Sequence, residues 1–379
     1  MPEKIALVIH SLAGGGAERV VSLLANHWVE RGIDVSVITL DTTDNDAFPL
    51  HSDVRRVGLE LMSNSRSLGR AVFSNYRRIR KLRRVLRAFA APITISFTDK
   101  MNVVTLIACW RMGAGVTICE RTDPRHQPMG RFWSRLRRLL YPRSRSLVVQ
   151  TGPVRTWARA LVPNRPIYVI PNAAPCSRGE EEGNTTASRD TYRTLALGRL
   201  SPEKGFDLLL SAFARIADRH PNWNLIICGE GAERAALESL CQQLDLQDRV
   251  ELPGWVCDPD RALRDADLFV LPSRYEGFPN ALLEAMAAGL ACISFDCDSG
   301  PGEIIRDGED GLLVPPEDVT GLAQAMDRLV ADDALRRQLG SAARQVTQRF
   351  SMDRFFRQWD AVIGAATEQE VDELARPKN

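Results

Sequence analysis

The chain has 379 residues, 44% of them hydrophobic and 26% charged, which is the make-up of an ordinary globular protein with two domains rather than one. Its eight cysteines are scattered without a CxxC pair, which excludes a disulfide framework or a zinc site and points to a reducing cytoplasm. The net charge of +1 hides a division: residues 1–175 carry 27 Lys/Arg against 12 Asp/Glu, and the rest carry 22 against 36, so the two halves face different partners.

KIALVIH (4–10) is predicted as a strand; its apolar run is too short, and too soon broken by glycine, for a signal peptide. No stretch approaches the roughly 20 apolar residues of a membrane span. A glycine loop at 14–16 leads into the helical AERVVSLLANHWVERG, and IDVSVITL (33–40), PITISF (92–97), VTIC (116–119) and SLVVQ (146–150) follow as strands. Strands alternating with helices imply a parallel, doubly wound sheet. In HSLAGGGAER the glycines and the helix start suit an anion. The loop is no P-loop, because no Gly-Lys-Ser/Thr follows, and Arg19 takes the third glycine's place in GxGxxG. A dinucleotide site encouraged by Asp41, or a plain tight turn, are the rival readings.

Two basic segments stand out in this half. In YRRIRKLRRVLRAF (76–89), Ile79, Leu82, Val85, Leu86 and Phe89 share one helical face. In RFWSRLRRLLY (131–141), Phe132, Trp133, Leu136, Leu139 and Leu140 group together, flanked by Arg131, Arg135, Arg137 and Arg138. Such helices suit an anionic membrane surface, with Phe132, Trp133 and Leu136 inserting. The competing reading is core-facing helices with solvated arginines. Nucleic acid is not expected, since no binding module accompanies the charge.

Residues 171–191 read as a linker, and the sequon at Asn184 as coincidence. Alternation restarts with TLALG (194–198), NLIICG (224–229), DLFVLP (267–272) and ACISF (291–295), and the polar tail TEQEVDELARPKN reads as frayed. In GRLSPEKGF (198–206), Ser201 is a candidate N-cap with Pro202 at the first helical position, which puts Lys204 in the first turn. A cation there opposes the helix dipole. With Arg199 just before it, the pair makes sense around an anion, unless Lys204 simply pairs with Glu203 or Asp207. In SRYEGFPNALLEAMAAG (273–289), Glu276 precedes a Gly-Phe-Pro turn and Glu284 faces inward one turn into the helix. A buried carboxylate needs donors, which sugar hydroxyls or a neighbouring arginine would supply. The Asp-x-Asp triplets beginning at Asp44, Asp258 and Asp296 are read as incidental, and no metal site is expected.

The Glu276-x7-Glu284 pair downstream of Arg199-x4-Lys204, together with the glycine loop, IPNA (170–173), CGEGAER (228–234), LPGWV (252–256) and GEDGLLVPPED (308–318), resembles the retaining glycosyltransferases of family 4. The pattern is similar to bacterial enzymes of surface-polysaccharide or lipid-linked oligosaccharide synthesis. The resemblance implies a GT-B fold: two doubly wound Rossmann-like domains with a donor cleft between them. An acceptor domain at 1–172 would be rejoined by a C-terminal helix at 351–368, and a nucleotide-sugar domain would span 190–350.

The resemblance also implies roles for single residues. Arg199 and Lys204 hold the donor diphosphate, Glu284 accepts from the ribose, and Glu276 approaches the transferred sugar. Gly277, Phe278, Pro279 and Asn280 line the sugar–phosphate region, the base lies near Gly229, Glu230, Trp255 and Val256, and Gly15 and Gly16 reach the donor from the first domain. Many relatives carry a histidine where this chain has Arg121; His126, five residues on, is the alternative on the acceptor side. The expected reaction is hexosyl or N-acetylhexosaminyl transfer from a UDP-sugar (GalNAc, GlcNAc or Gal) to a lipid-linked glycan at the inner face of the plasma membrane. No cofactor beyond the donor is implied. A nicotinamide-dependent dehydrogenase and a non-catalytic membrane-binding protein are the alternatives.

Overall fold

The computed structural model describes residues 1–62, 68–127, 129–175, 191–256 and 258–375, without the side chains of 68–72 and 367–375. The chain divides into two compact units, Met1–Asn172 with Asp353–Asn379, and Ala173–Met352. Most of the predicted linker, with Asn184, Cys176 and Cys257, lies outside the described residues.

The first unit is built on seven parallel strands: β1 (Lys4–Ile9), β2 (Asp34–Thr39), β3 (Arg55–Gly58), β4 (Ile93–Phe97), β5 (Gly115–Cys119), β6 (Ser146–Val149) and β7 (Ile167–Val169). Their order is β3-β2-β1-β4-β5-β6-β7, so the chain reverses direction across the sheet between β1 and β4. The middle strands are buried on both faces (β1 KIALVI, β4 ITISF) because helices cover both sides. The C-terminal helix Met352–Ala375 belongs to this unit and continues into the tail read as frayed. Trp359 on it is fully buried, edge-on to Trp28 and tilted against Phe97. Asp360 beside it accepts from Trp28 Nε1 at 3.0 Å and Arg31 Nη1 at 2.6 Å. An apolar anchor and a charged clamp thus fix the helix.

The second unit holds six parallel strands: β8 (Tyr192–Leu197), β9 (Trp223–Cys228), β10 (Val250–Gly254), β11 (Leu268–Leu271), β12 (Ala291–Phe295) and β13 (Leu312–Val314). Their order is β10-β9-β8-β11-β12-β13, with the reversal between β8 and β11. In such sheets a crevice forms beyond the carboxyl ends of the strands at the point of reversal.

Much of the apolar stripe that the wheels of the basic helices show faces the core. Helix Leu68–Phe89 buries Leu82, Leu86 and Phe89 in the core of the first unit, with Ile79 and Val85 packed alongside. Its apolar stripe is core, as amphipathic helices on a sheet require. In helix Arg131–Leu140 the stripe is split. Leu140 is buried and Trp133 and Leu136 pack on the core, whereas Phe132 and Leu139 stay 66% and 57% exposed. Arg137 is not solvated either: its guanidinium stacks over Trp157 at 4.9 Å.

Candidate functional site

At the reversal of the second sheet, β8 and β11 each end in a turn that carries a charged side chain. After β8 come Gly198 and the exposed Arg199, then a single 3₁₀ turn, Pro202–Lys204. This differs from the predicted continuous helix. Ser201 does not cap; its hydroxyl donates to Glu203 Oε1 at 2.6 Å. The α-helix starts only at Phe206, after Gly205 in the left-handed conformation (φ 65°). A Cβ on Gly205 would lie 2.0 Å from the Pro272 carbonyl oxygen, so the 3₁₀ turn abuts the end of β11 only because that residue is glycine. Gly205→Ala is expected to cost about 2 kcal/mol or more from backbone strain and overlap, read as a lower urea midpoint with the slope unchanged.

That close approach brings the two charges together. Lys204 Nζ lies 2.6 Å from Glu276 Oε1, with side chains 23% and 10% exposed. Ser273 Oγ donates to the same carboxylate oxygen at 2.7 Å, and Ser299 Oγ donates to the Glu276 carbonyl at 2.8 Å. Lys204 therefore pairs with neither Glu203 nor Asp207. Asp207 belongs to Arg274, which binds it through both Nη atoms, reaches Glu317, and donates to the Pro202 carbonyl at 2.6 Å. The Arg274 guanidinium holds the Asp207 carboxyl below its ordinary range against the opposing pull of burial.

The helix Asn280–Ala288 begins where expected, behind buried Gly277, Phe278 and Pro279. Phe278 packs edge-on against Phe350, ring centroids 5.3 Å apart. Glu284 is half-buried on this helix rather than enclosed, and Asn280 is also half-buried. Beyond β9, a Cβ on Gly229 would meet the Gly198 carbonyl oxygen at 1.8 Å, so the ends of β8 and β9 touch through backbone alone. Glu230 is exposed and held by Arg234 at 2.7 Å, which keeps its carboxyl below the ordinary range. Past β10, Trp255 is 70% exposed and Val256 half-buried.

In the first unit, Gly15 and Gly16 open the helix that follows β1, above the buried Glu18. Arg121 ends the β5 connection, 8% exposed, donating from Nη2 to Asn172 Oδ1. Its Nε and Nη1 have no hydrogen-bond partner among the described residues, and burial pushes its pKa down to about 10. His126 is half-buried, in a turn locked by Asp123, whose carboxylate takes Arg125 at 2.5 Å. Sequence reasoning missed Ser273, Ser299 and Arg274; Ser273 and Arg274 stand in the quoted stretch itself. Among the described residues no group of three or more His, Cys, Asp or Glu could hold a metal. Asp46 instead binds Arg56, and Asp258 caps a helix at the Arg261 amide.

Two family models match the chain: glycosyltransferase family 4 over residues 14–178 and glycosyl transferases group 1 over residues 177–346. The chain belongs to the family 4 glycosyltransferases. It is 26% identical to an α-1,4-N-acetyl-D-galactosaminyltransferase of Campylobacter jejuni named for a GalNAc-containing PP-undecaprenol, covering 95% of this chain and 98% of that protein. An exopolysaccharide phosphotransferase of Streptomyces coelicolor is 41% identical over 222 residues, 58% of this chain but only 23% of that protein's length.

Two solved structures are similar throughout. Sucrose-phosphate synthase of Thermosynechococcus elongatus has TM-score 0.79 at 22% identity, covering 95% of this glycosyltransferase and 100% of that chain. HepE of Anabaena, solved with UDP and glucose, has TM-score 0.76 at 18% identity, covering 96% and 100%. The fold is GT-B, as its motifs imply.

Proposed function

We propose that the enzyme transfers a hexosyl or N-acetylhexosaminyl group from a UDP-sugar, with retention, to a lipid-linked glycan. The observation that carries this is the Lys204–Glu276 pair at the β8/β11 reversal, with Arg199 exposed beside it. A lysine already balanced by a carboxylate can exchange part of that partnership for a diphosphate, while Glu276 turns to the hydroxyls of the transferred sugar. Arg199 supplies a second, charge-assisted set of donors to the leaving diphosphate. Glu284 takes the ribose hydroxyls, Gly229 leaves space for the nucleotide, and exposed Trp255 offers a ring for the base. Arg121 and His126 are assigned to the acceptor side. The UDP of the HepE complex and the undecaprenol diphosphate in the name of the Campylobacter relative support the two substrate classes.

The acceptor class suggests a peripheral place on the inner face of the plasma membrane. No helix among the described residues is long and apolar enough to cross one. Helix Arg131–Leu140 would contribute Arg131, Arg135 and Arg138, with Phe132 and Leu139 in place of the core-packed Trp133 and Leu136.

The deciding test is thermal stabilisation by UDP and UDP-sugars, compared with GDP-sugars and NAD, followed by transfer assays on the stabilising donor. Stabilisation by NAD and not by UDP would refute the assignment. Turnover is expected to survive excess EDTA, because Arg199, Lys204 and backbone amides neutralise the leaving group. Loss of activity in chelator with rescue by Mn²⁺ would show that a metal carries that charge instead.

A further inference from the structure

A cavity of about 380 Å³ opens at the amino ends of β5, β6 and β7, the opposite end of the first sheet from the glycine loop. Its lining includes Trp110, Arg111, Arg143, Arg145 and Arg165, and no carboxylate. None of these four arginines is in an ion pair among the described residues. Three of them donate to backbone carbonyls: Arg143 to Leu139, Arg145 to Ala366 at 2.5 Å and Arg165 to Pro142 at 2.8 Å. A guanidinium has five N–H donors, so most remain available, and four like charges around one cavity repel until an anion enters.

The local backbone is shaped to keep them there. A Cβ on Gly115 would lie 2.4 Å from Arg145 Nε, so glycine at the start of β5 lets that guanidinium lie across the strand. Arg111 is held at φ 58°, a left-handed conformation that is unfavourable for a non-glycine residue and is retained where the surroundings dictate it. Trp110 is 45% exposed, and the Arg143 guanidinium sits 5.2 Å from its ring centroid.

We propose that this cavity binds a phosphate group, carried by a lipid headgroup or by a small soluble ion. Arginine clusters without acids match the charge and planar donor geometry that phosphate oxygens require. The rim suits a lipid: Leu139, whose carbonyl accepts from Arg143, is exposed together with Phe132 on the same helix. Acyl chains leaving a bound headgroup would meet Trp110, Leu139 and Phe132. This site is separate from the donor site and does not depend on which sugar is transferred.

The test uses the full chain and a triple variant, Arg111→Gln, Arg143→Gln and Arg165→Gln. Probes are sodium pyrophosphate, by calorimetry with UDP saturating the donor site, and phosphatidylcholine vesicles with or without phosphatidylglycerol, by flotation. The wild type is expected to bind pyrophosphate and to float with phosphatidylglycerol vesicles, with both reduced about tenfold or more in the triple variant. Competition between pyrophosphate and vesicles identifies the lipid as the source. Arginine-dependent pyrophosphate binding with equal flotation of the two proteins identifies a soluble ion. Equal behaviour of wild type and variant toward both probes, or no binding of either, overturns the proposal. An unchanged UDP-induced thermal shift confirms that the variant is folded. If the triple variant does not fold, the single Arg143→Gln and Arg165→Gln changes, each expected to weaken binding severalfold, decide the matter the same way.

Discussion

Lys204→Ala is expected to lower turnover roughly 30- to 1000-fold, a loss of about 2–4 kcal/mol in transition-state stabilisation. Two effects combine. The developing charge on the leaving diphosphate loses a donor, and Glu276, 10% exposed, keeps only Ser273 at the oxygen that Lys204 had neutralised. A carboxylate left without its cation in a half-buried site repels the incoming diphosphate, so the apparent affinity for UDP falls as well. Glu276→Ala removes the opposite member. Lys204 is then freer to hold UDP, so affinity is expected to change little while turnover drops, because the transferred sugar has lost its acceptor. Since the two side chains touch, their effects should not add. The double variant is expected to be no worse than about tenfold below the poorer single variant, a coupling that independent sites would not show. Glu284→Ala should chiefly raise the dissociation constant for UDP. Turnover within threefold of wild type in both Lys204→Ala and Glu276→Ala would remove the pair from the chemistry.

Much of this was legible in the sequence, and the limits of that reading have physical causes. Nine strands could be read because their runs are long and apolar, being buried on both faces of parallel sheets. The four that escaped, β3 (RRVG), β7 (IYV), β10 (VELPG) and β13 (LLV), are the four edge strands of the two sheets. Edge strands are short and tolerate arginine, glutamate and proline, so they carry little periodic signal. Arg199, Lys204, Glu276 and Glu284 stand out through their spacing, but the Lys204–Glu276 contact does not, because it depends on Gly205 letting two turns meet across the sheet reversal. The basic helices were only partly legible for a related reason. A wheel shows that an apolar stripe exists, and not whether core or solvent covers it; Leu82, Leu86 and Phe89 face core, while Phe132 and Leu139 do not.

Stability is expected to fall as the pH rises from about 5 to 8, and Glu120→Gln should abolish most of that decline. Glu120 follows β5, 1% exposed, and its carboxyl accepts from the Tyr141 hydroxyl at 2.5 Å. Burial pushes its pKa from 4.5 up to about 7; Asp99 adds to the rise, and the Tyr141 hydrogen bond and Arg137 oppose it. The unfolded chain ionises this carboxyl near its ordinary value, so between the two pKa values the folded state holds a proton that the unfolded state has released. The contribution is therefore fully present below about 4.5 and is lost as the pH climbs through about 7. The raised pKa corresponds to a penalty of about 3 kcal/mol at pH 8. A glutamine keeps the acceptor for Tyr141 and cannot ionise. The variant should match the wild type at pH 5 and melt higher at pH 8. The difference between the two proteins is the quantity to follow, since it cancels whatever other groups contribute equally to both. Tyr141 closes helix Arg131–Leu140 and also takes a hydrogen bond from Asn102 Nδ2 at 3.2 Å. Tyr141 donates more strongly to the carboxylate than to the neutral acid, so the cost of ionisation lies in burying the charge and is read in global stability rather than in a local release of that helix. Parallel stability curves for the two proteins from pH 5 to 8 would mean that Glu120 is ionised in the fold throughout that range.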